Sequence, residues 1–273
     1  MQEVKTFSPD YPRDENNLIL FPRDHKLRKE LFPEAVFDHP AKANMYLIQE
    51  LYRYLTKPGD SIIDPFGGTG TLLLAAREGR KVILIDVEEQ FVELQRQTVN
   101  NWQKDYLNRP TLAVTYIYHG DNRQVLTKIQ YLVDACIFSP PYSTALVQSG
   151  FRQKAEDDRA FSATMGKSYG KGQLSEYGGK GASVLNIGRL NPFMFTQAMD
   201  KVYERLVARL VPGAPVAIIT KDLAKGPIRV FISEPTIQRA NRHGLKLREW
   251  HKWHPPGSGM HSIAKSKDYN TID

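Results

Sequence analysis

Hydrophobic and polar positions alternate along this chain in two rhythms. Over residues 41–56 the apolar side chains Leu47, Ile48, Leu51, Tyr52 and Leu55 return at intervals of three and four. That spacing predicts a helix from about Ala41 to Thr56, stopped by Lys57-Pro58-Gly59. Short continuous apolar runs then take turns with helix-length stretches. Ser61–Ile63, Lys81–Asp86 (KVILID), Thr111–Tyr118 and Val133–Phe138 (VDACIF) predict four short strands. Leu72–Glu78, closed by Gly79, and Glu88–Trp102, with Phe91, Leu94 and Val99 on one side, predict helices between them. Phe193–Leu210 reads as a long helix and Val216–Thr220 as a further strand. Strands and helices in turn predict an α/β fold built on a doubly wound, mostly parallel sheet. The first 37 residues, broken by Pro9, Pro12, Pro22 and Pro33, predict an irregular arm.

Composition narrows the class. With 273 residues and 41% hydrophobic side chains, the chain can bury a sizeable core. The single cysteine, Cys136, excludes an intrachain disulfide and a Cys-rich metal site, and reads as strand core. No apolar run approaches the ~18 residues of a membrane span, and the start MQEVKTFSPD lacks the shape of a signal peptide. A soluble cytoplasmic protein with no membrane partner is therefore expected.

Charge is distributed unevenly. Residues 1–142 hold 17 Lys+Arg against 19 Asp+Glu, and residues 143–273 hold 20 against 11, so the net +7 lies entirely after Tyr142. A basic half on a neutral half points to a polyanion such as nucleic acid, or to a plain solvated basic surface. Residues 143–192 hold eight glycines among Ser, Lys and Gln, which predicts an insertion that handles substrate or serves as a flexible connection. The expected organisation is an arm over 1–36, a core over 37–142 and 193–273, and the insertion over 143–192.

Chemistry concentrates at the strand ends. Ile62-Ile63-Asp64-Pro65-Phe66-Gly67-Gly68-Thr69-Gly70-Thr71 joins a strand to a helix, where small residues let backbone approach a ligand. From Gly68 the spacing reads G-T-G-T-L-L, so Leu73 stands where a dinucleotide fingerprint has its third glycine, and no Gly-Lys-Ser/Thr phosphate loop follows. A nucleoside ligand without a pyrophosphate, S-adenosylmethionine, suits the segment better. Asp86 ends the next strand, where an acid binds ribose hydroxyls or starts a helix. Asp121, after Gly120, suits an adenine amino group or a simple turn. The fourth strand runs into Ser139-Pro140-Pro141-Tyr142.

These motifs in this order resemble the S-adenosylmethionine-dependent amino-group DNA methyltransferases of the N4-cytosine/N6-adenine type, in their non-permuted arrangement. The resemblance covers residues 37–142 and, loosely, 193–222. It implies a Rossmann-like sheet of seven strands, with a basic recognition region inserted or C-terminal. It also implies S-adenosylmethionine as cofactor, held by Asp64, Pro65, Phe66, Gly67, Gly68, Gly70, Asp86 and Asp121, with no metal. His39 and Lys42, in Phe37-Asp38-His39-Pro40-Ala41-Lys42, resemble the segment that meets the cofactor's methionine end from a helix start, whose free amides suit a carboxylate. The family form continues Lys-Pro, whereas here Ala43 follows Lys42.

By the same resemblance Ser139, Pro140, Pro141 and Tyr142 are catalytic. The Ser139 side chain and the Pro140 carbonyl accept the two hydrogens of a target amino group, and the Tyr142 ring stacks the base. The expected partner is double-stranded DNA with a flipped target base. Serine at the first motif position favours cytosine N4 over adenine N6, and the same core would also suit RNA or a non-catalytic nucleic-acid-binding subunit. Residues 143–192 and 223–273 are the expected nucleic-acid face. Within the latter, Trp250 to His261 interleaves aromatics and cations, which suits base stacking or a structured edge strand, and its histidine spacing fits no zinc pattern. Lys221-Asp222 suits packing or capping.

Overall fold

The computed structural model describes residues 6–38, 42–104, 112–141, 183–225 and 228–254. His39, Tyr142 and nearly all of the Gly-rich insertion therefore lie outside the described residues, as does the tail beyond His254.

The N-terminal region carries a strand β1 (Ile19–Leu20), a helix α1 (His25–Leu31), a 3-10 turn at Glu34–Asp38 and then helix α2 (Met45–Leu55). The spacing-based helix from Ala41 is thus too long at its start. Polar capping outranks apolar periodicity there: the Asn44 side chain accepts from the Tyr46 and Leu47 amides at 2.9 and 3.1 Å, and Asp24 accepts from Met45 at 3.0 Å.

The core alternates as expected. In order come β2 (Ser61–Asp64), a 3-10 helix at Thr71–Glu78, β3 (Lys81–Asp86), α3 (Glu89–Lys104), β4 (Thr115–His119), α4 (Asn122–Lys128) and β5 (Ala135–Phe138). A 3-10 turn at Ile187–Arg189, helix α5 (Pro192–Val207) and β6 (Val216–Ile218) complete it. Helix α4 has no signal in the apolar spacing; Asp121 starts it by accepting from the Arg123 amide at 2.9 Å.

Five strands form one parallel sheet in the order β4-β3-β2-β5-β6. The three central strands, β3, β2 and β5, are covered on both faces. Ile62, Val82, Leu84, Ala135 and Ile137 pack under α2, the Thr71–Glu78 helix and α3. Their neighbours Ile63, Ile83, Ile85, Cys136 and Phe138 pack under α4 and α5. Full burial of such aliphatic side chains contributes about 1.5–3 kcal/mol each. The chain builds outward from β2 to β4, then returns to add β5 and β6 on the other side. A crevice therefore opens where the carboxyl ends of β2 and β5 diverge, which is where ligands bind in open α/β sheets.

The seven strands expected in one sheet are five among the described residues, with two short pairs beside them. β7 (Leu223–Lys225) and β8 (Ile228–Val230) pair antiparallel ahead of helix α6 (Ser233–Arg242). β1 pairs parallel with β9 (Trp253–His254), which joins the N-terminal region to residues 253–254.

That pairing changes the picture of the arm and the tail. Residues 6–38 are not an irregular arm, because Phe7, Ile19 and Phe21 are buried with Leu47 of α2 in a third apolar cluster that Trp253 also touches. The tail aromatics are largely engaged there. The His251 ring lies 4.6 Å from that of Phe7, His251 Nε2 lies 2.7 Å from Glu249, and the Tyr54 hydroxyl donates to Glu249 at 2.9 Å. Trp253–His254 form a strand, as the structured-strand reading of this segment expects, Trp250 is exposed, and residues 255–261 lie outside the described residues. Asp222 accepts from the Ile232 and Ser233 amides at 2.8 and 3.2 Å, so it caps the start of α6. Among the described residues no helix is long and apolar enough to cross a membrane.

Candidate active site

Four strands end in polar groups along one edge of the sheet. β2 ends in Asp64, whose Oδ1 accepts from the Phe66 amide at 2.8 Å. The loop that follows folds back on β3, with the Gly67 amide donating to the Ile85 carbonyl at 2.9 Å. β3 ends in Asp86, which accepts from the Gly68 amide at 2.6 Å and from the Glu88 amide at 2.9 Å. Asp86 thus both fixes the glycine loop and organises the turn into α3.

Burial dominates the electrostatics of this pair. Desolvation pushes the Asp64 carboxyl up to about 8; the Phe66 amide opposes the shift and the charge of Asp86 adds to it. Burial likewise pushes Asp86 up to about 7, against its amide donors and helped by the Glu88 charge. Two carboxylates placed so that ionisation is costly form a site that gains when a cation or hydroxyl donors arrive.

The three glycines divide into two jobs. A Cβ on Gly67 would meet Gln95 Nε2 at 2.9 Å and Leu84 Cβ at 3.2 Å, and one on Gly70 would meet Gln95 Cγ and Leu73 Cδ1 at 3.0 Å. Gly67 and Gly70 are therefore required by the packing beneath the loop. Gly68, at φ +50°, has only the Phe66 carbonyl within 4 Å and faces open space. Gln95 is the residue that sequence reading missed. Fully buried on α3, it donates to the Gly68 carbonyl at 2.7 Å. Nothing in local spacing separates it from other glutamines on that helix. Asn122 is a similar case, donating to the Pro65 carbonyl at 2.8 Å.

The remaining candidates fall on the same edge or nearby. Asp121 is buried and holds Arg123 in a forked ion pair, with Nη2 to Oδ2 at 2.8 Å, besides starting α4. Its oxygens are thus heavily used within the chain. Ser139 and Pro140 follow β5 across the crevice from Asp64, and the Ser139 hydroxyl donates to the Ile219 carbonyl at 3.1 Å. Pro141 follows at the margin of the described residues. Phe66 packs its ring 5.8 Å from that of Phe138. Lys42 Nζ donates to the Phe37 carbonyl at 3.0 Å. The helix start beside it does not offer the free amides expected. Met45, Tyr46 and Leu47 are already bonded to Asp24 and Asn44, and Ile48 to the Asn44 carbonyl at 3.1 Å.

Two carboxyl groups on adjacent strands, with an open glycine between them, could hold S-adenosylmethionine. They suit its cationic amino-acid end and its ribose hydroxyls. Among the described residues no group of His, Cys, Asp and Glu is arranged to hold a metal ion.

Comparison with known proteins finds similarity over part of the chain. A family model described as DNA methylase matches residues 10–97, from the arm through β3 into α3. The chain is 40% identical over 60 residues to the type II methyltransferase M2.DpnII of Streptococcus pneumoniae, 22% of each chain. It is 37% identical over 73 residues to the type II methyltransferase M.BglI of Bacillus subtilis, covering 26% of this chain and 20% of that one. The matched segments thus span about a fifth of these relatives' length. Among solved structures, a precorrin 8W decarboxylase from Methanobacterium thermoautotrophicum superposes with a TM-score of 0.43 at 12% identity, over 76% of this chain and 75% of that one. A putative methyltransferase from Streptococcus mutans, solved in complex with SAH, gives 0.35 at 17% identity over 65% and 72%. The segment that carries Asp64, the glycine loop, Asp86 and Gln95 is thus the part of the chain that matches the DNA methylase family model and that is similar to these type II methyltransferases.

Proposed function

We propose that this chain is a DNA methyltransferase that transfers a methyl group from S-adenosylmethionine to an exocyclic amino group, with cytosine N4 as the favoured target. The observation that carries the reading is the order of groups along one sheet edge. Asp121, Asp86, Asp64 and the Ser139-Pro140 pair end β4, β3, β2 and β5, which are neighbours in that order. A nucleoside laid along this edge has its base beside β4, its ribose at β3 and its amino-acid end over β2, which turns the reactive centre towards β5.

When bound, S-adenosylmethionine supplies an electrophilic methyl group on a sulfonium sulfur. The chain supplies orientation. Asp86 takes the ribose hydroxyls and Asp64 faces the cationic end. The Ser139 oxygen and the Pro140 carbonyl accept the two hydrogens of the target amino group. That interaction draws the nitrogen lone pair out of conjugation with the ring, which is what a poor nucleophile needs. Holding both reactants in line supplies much of the rate. Tyr142 is assigned the stacking face, worth about 1–3 kcal/mol per base. The basic half after Tyr142 supports nucleic acid as the partner, which we read as duplex DNA with the base flipped out.

A second reading, adenine N6, has its own support. With its hydrogen given to Ile219, the Ser139 hydroxyl offers the target lone pairs, the acceptor role that the side-chain oxygen of an Asp or Asn also fills.

The test is transfer of labelled methyl from S-adenosylmethionine to mixed-sequence DNA and RNA, followed by nucleoside digestion and mass spectrometry. N4-methylcytosine in DNA is the expected product. N6-methyladenine would replace the base assignment and keep the reaction class. Methylated RNA with unmodified DNA, or no transfer to either, would overturn the proposal.

A further inference from the structure

Arg28 is 1% exposed, although it lies in the region whose prolines predict an irregular arm. Its guanidinium joins three separate segments. Nη2 lies 2.6 Å from Asp24 Oδ2 and 2.7 Å from the Ala43 carbonyl, and Nη1 lies 3.1 Å from Thr71 Oγ1. Thr71 is the first residue after the glycine loop, and Ala43 is the residue after Lys42. Asp24, fixed by Arg28, in turn accepts the Met45 amide at 3.0 Å. The Arg28–Asp24 pair thus grips residues 43–45 by a carbonyl and an amide, and ties them to the exit of the glycine loop. A planar fork with several donors suits such a junction, and a lysine ammonium does not reproduce it.

We propose that Arg28 is a positioning residue for the amino-acid end of the cofactor: it registers the 42–45 segment against the glycine loop over β2. The inference rests on the cofactor reading above. In that reading the nucleoside lies over β3 and β4 and the amino-acid end over β2, whose carboxyl end leads into the glycine loop that Thr71, a partner of Arg28, directly follows.

The experiment compares two ligands by calorimetry on the full chain. S-adenosylhomocysteine carries the amino-acid end; 5′-methylthioadenosine keeps the nucleoside and sulfur and lacks it. Two variants are used. Thr71→Val removes one hydrogen bond and leaves the Arg28–Asp24 pair intact, so it retains the fold if Arg28→Lys does not. Melting curves establish that each variant is folded. The expected result is a roughly tenfold weaker Kd for S-adenosylhomocysteine in each folded variant, with 5′-methylthioadenosine unchanged within about twofold. Equal weakening of both ligands would reduce Arg28 to general support of the fold and overturn the proposal, as would no weakening of either. Failure of the unaltered protein to bind either ligand would be a different result, overturning the cofactor reading itself and this inference with it.

Discussion

The Ser139 hydroxyl donates to the Ile219 carbonyl, Oγ to O at 3.1 Å, across the junction of β5 and the segment that follows β6. Its only hydrogen is committed to the main chain, so towards the crevice the oxygen acts as an acceptor. Ser139→Ala is expected to lower kcat by about 100-fold, within the range of a lost proton-accepting contact, with little change in the Kd for S-adenosylhomocysteine. Ser139→Asn should keep more activity than Ser139→Asp at pH 8. An amide can donate to Ile219 while its oxygen accepts, whereas an ionised carboxylate would face the carbonyl without a donor. Single-turnover transfer assays decide this, and full activity in Ser139→Ala would remove the residue from the chemistry.

The raised carboxyls of Asp64 and Asp86 give a pH signature. Both lie near 3.8 when unperturbed and are pushed to about 8 and about 7 by burial. Between those limits the folded chain binds more protons than the unfolded one, so stability is highest at the acid end of the window and falls as pH rises through it. The melting temperature of the ligand-free protein should therefore decline between about pH 5.5 and 8.5. Asp64→Asn should flatten much of that slope. Binding of S-adenosylhomocysteine should tighten over the same range, since ionised carboxylates serve its cationic end and its hydroxyls. A slope identical in Asp64→Asn and the unaltered protein would show that the pair does not set it.

Gly67 tests the packing under the loop. Gly67→Ala would bring a methyl within 2.9 Å of Gln95 Nε2 and 3.2 Å of Leu84 Cβ. Overpacking of this kind costs about 1–3 kcal/mol. Gln95→Ala, combined with it, should cost less than the sum of the two single changes, because one of the two collisions disappears. Denaturant unfolding of the three variants measures the coupling, and strict additivity would mean that Gln95 does not set the glycine.

Arg28→Met should be among the most destabilising single changes in the chain. It leaves the Asp24 carboxylate without its cation and removes the support of the Ala43 carbonyl. Breaking a buried ion pair from one side costs on the order of 3 kcal/mol. Urea denaturation monitored by far-UV circular dichroism would show the shift in midpoint, and a neutral outcome would contradict the geometry.

What was legible in the amino-acid order was everything encoded within a few residues. The runs Ile62-Ile63, Val82 to Ile85 and Ala135 to Phe138 announce strands because a sheet covered on both faces wants apolar side chains at every position. Asp64, Asp86 and Ser139 stand at the ends of those runs, so their shared edge follows once the sheet is parallel. The DNA methylase match over residues 10–97 includes the first two of these positions. Helix α4 and the true start of α2 were not legible, because side-chain caps at Asp121, Asn44 and Asp24 decide them and apolar periodicity does not register a cap.

The arm, the tail and the underside of the glycine loop were settled only by the folded chain. Ile19 meets Trp253, Arg28 meets Thr71, and Gln95 meets Gly68. Each pair joins residues far apart in the chain, and two of the three contacts are single polar bonds that leave no repeating pattern. The reason is physical: periodicity records which face of an element is dry, while the partner of a buried polar group depends on which other element folding brings within 3 Å of it. In this protein the strand ends are written locally, and the supports that hold them in register are not.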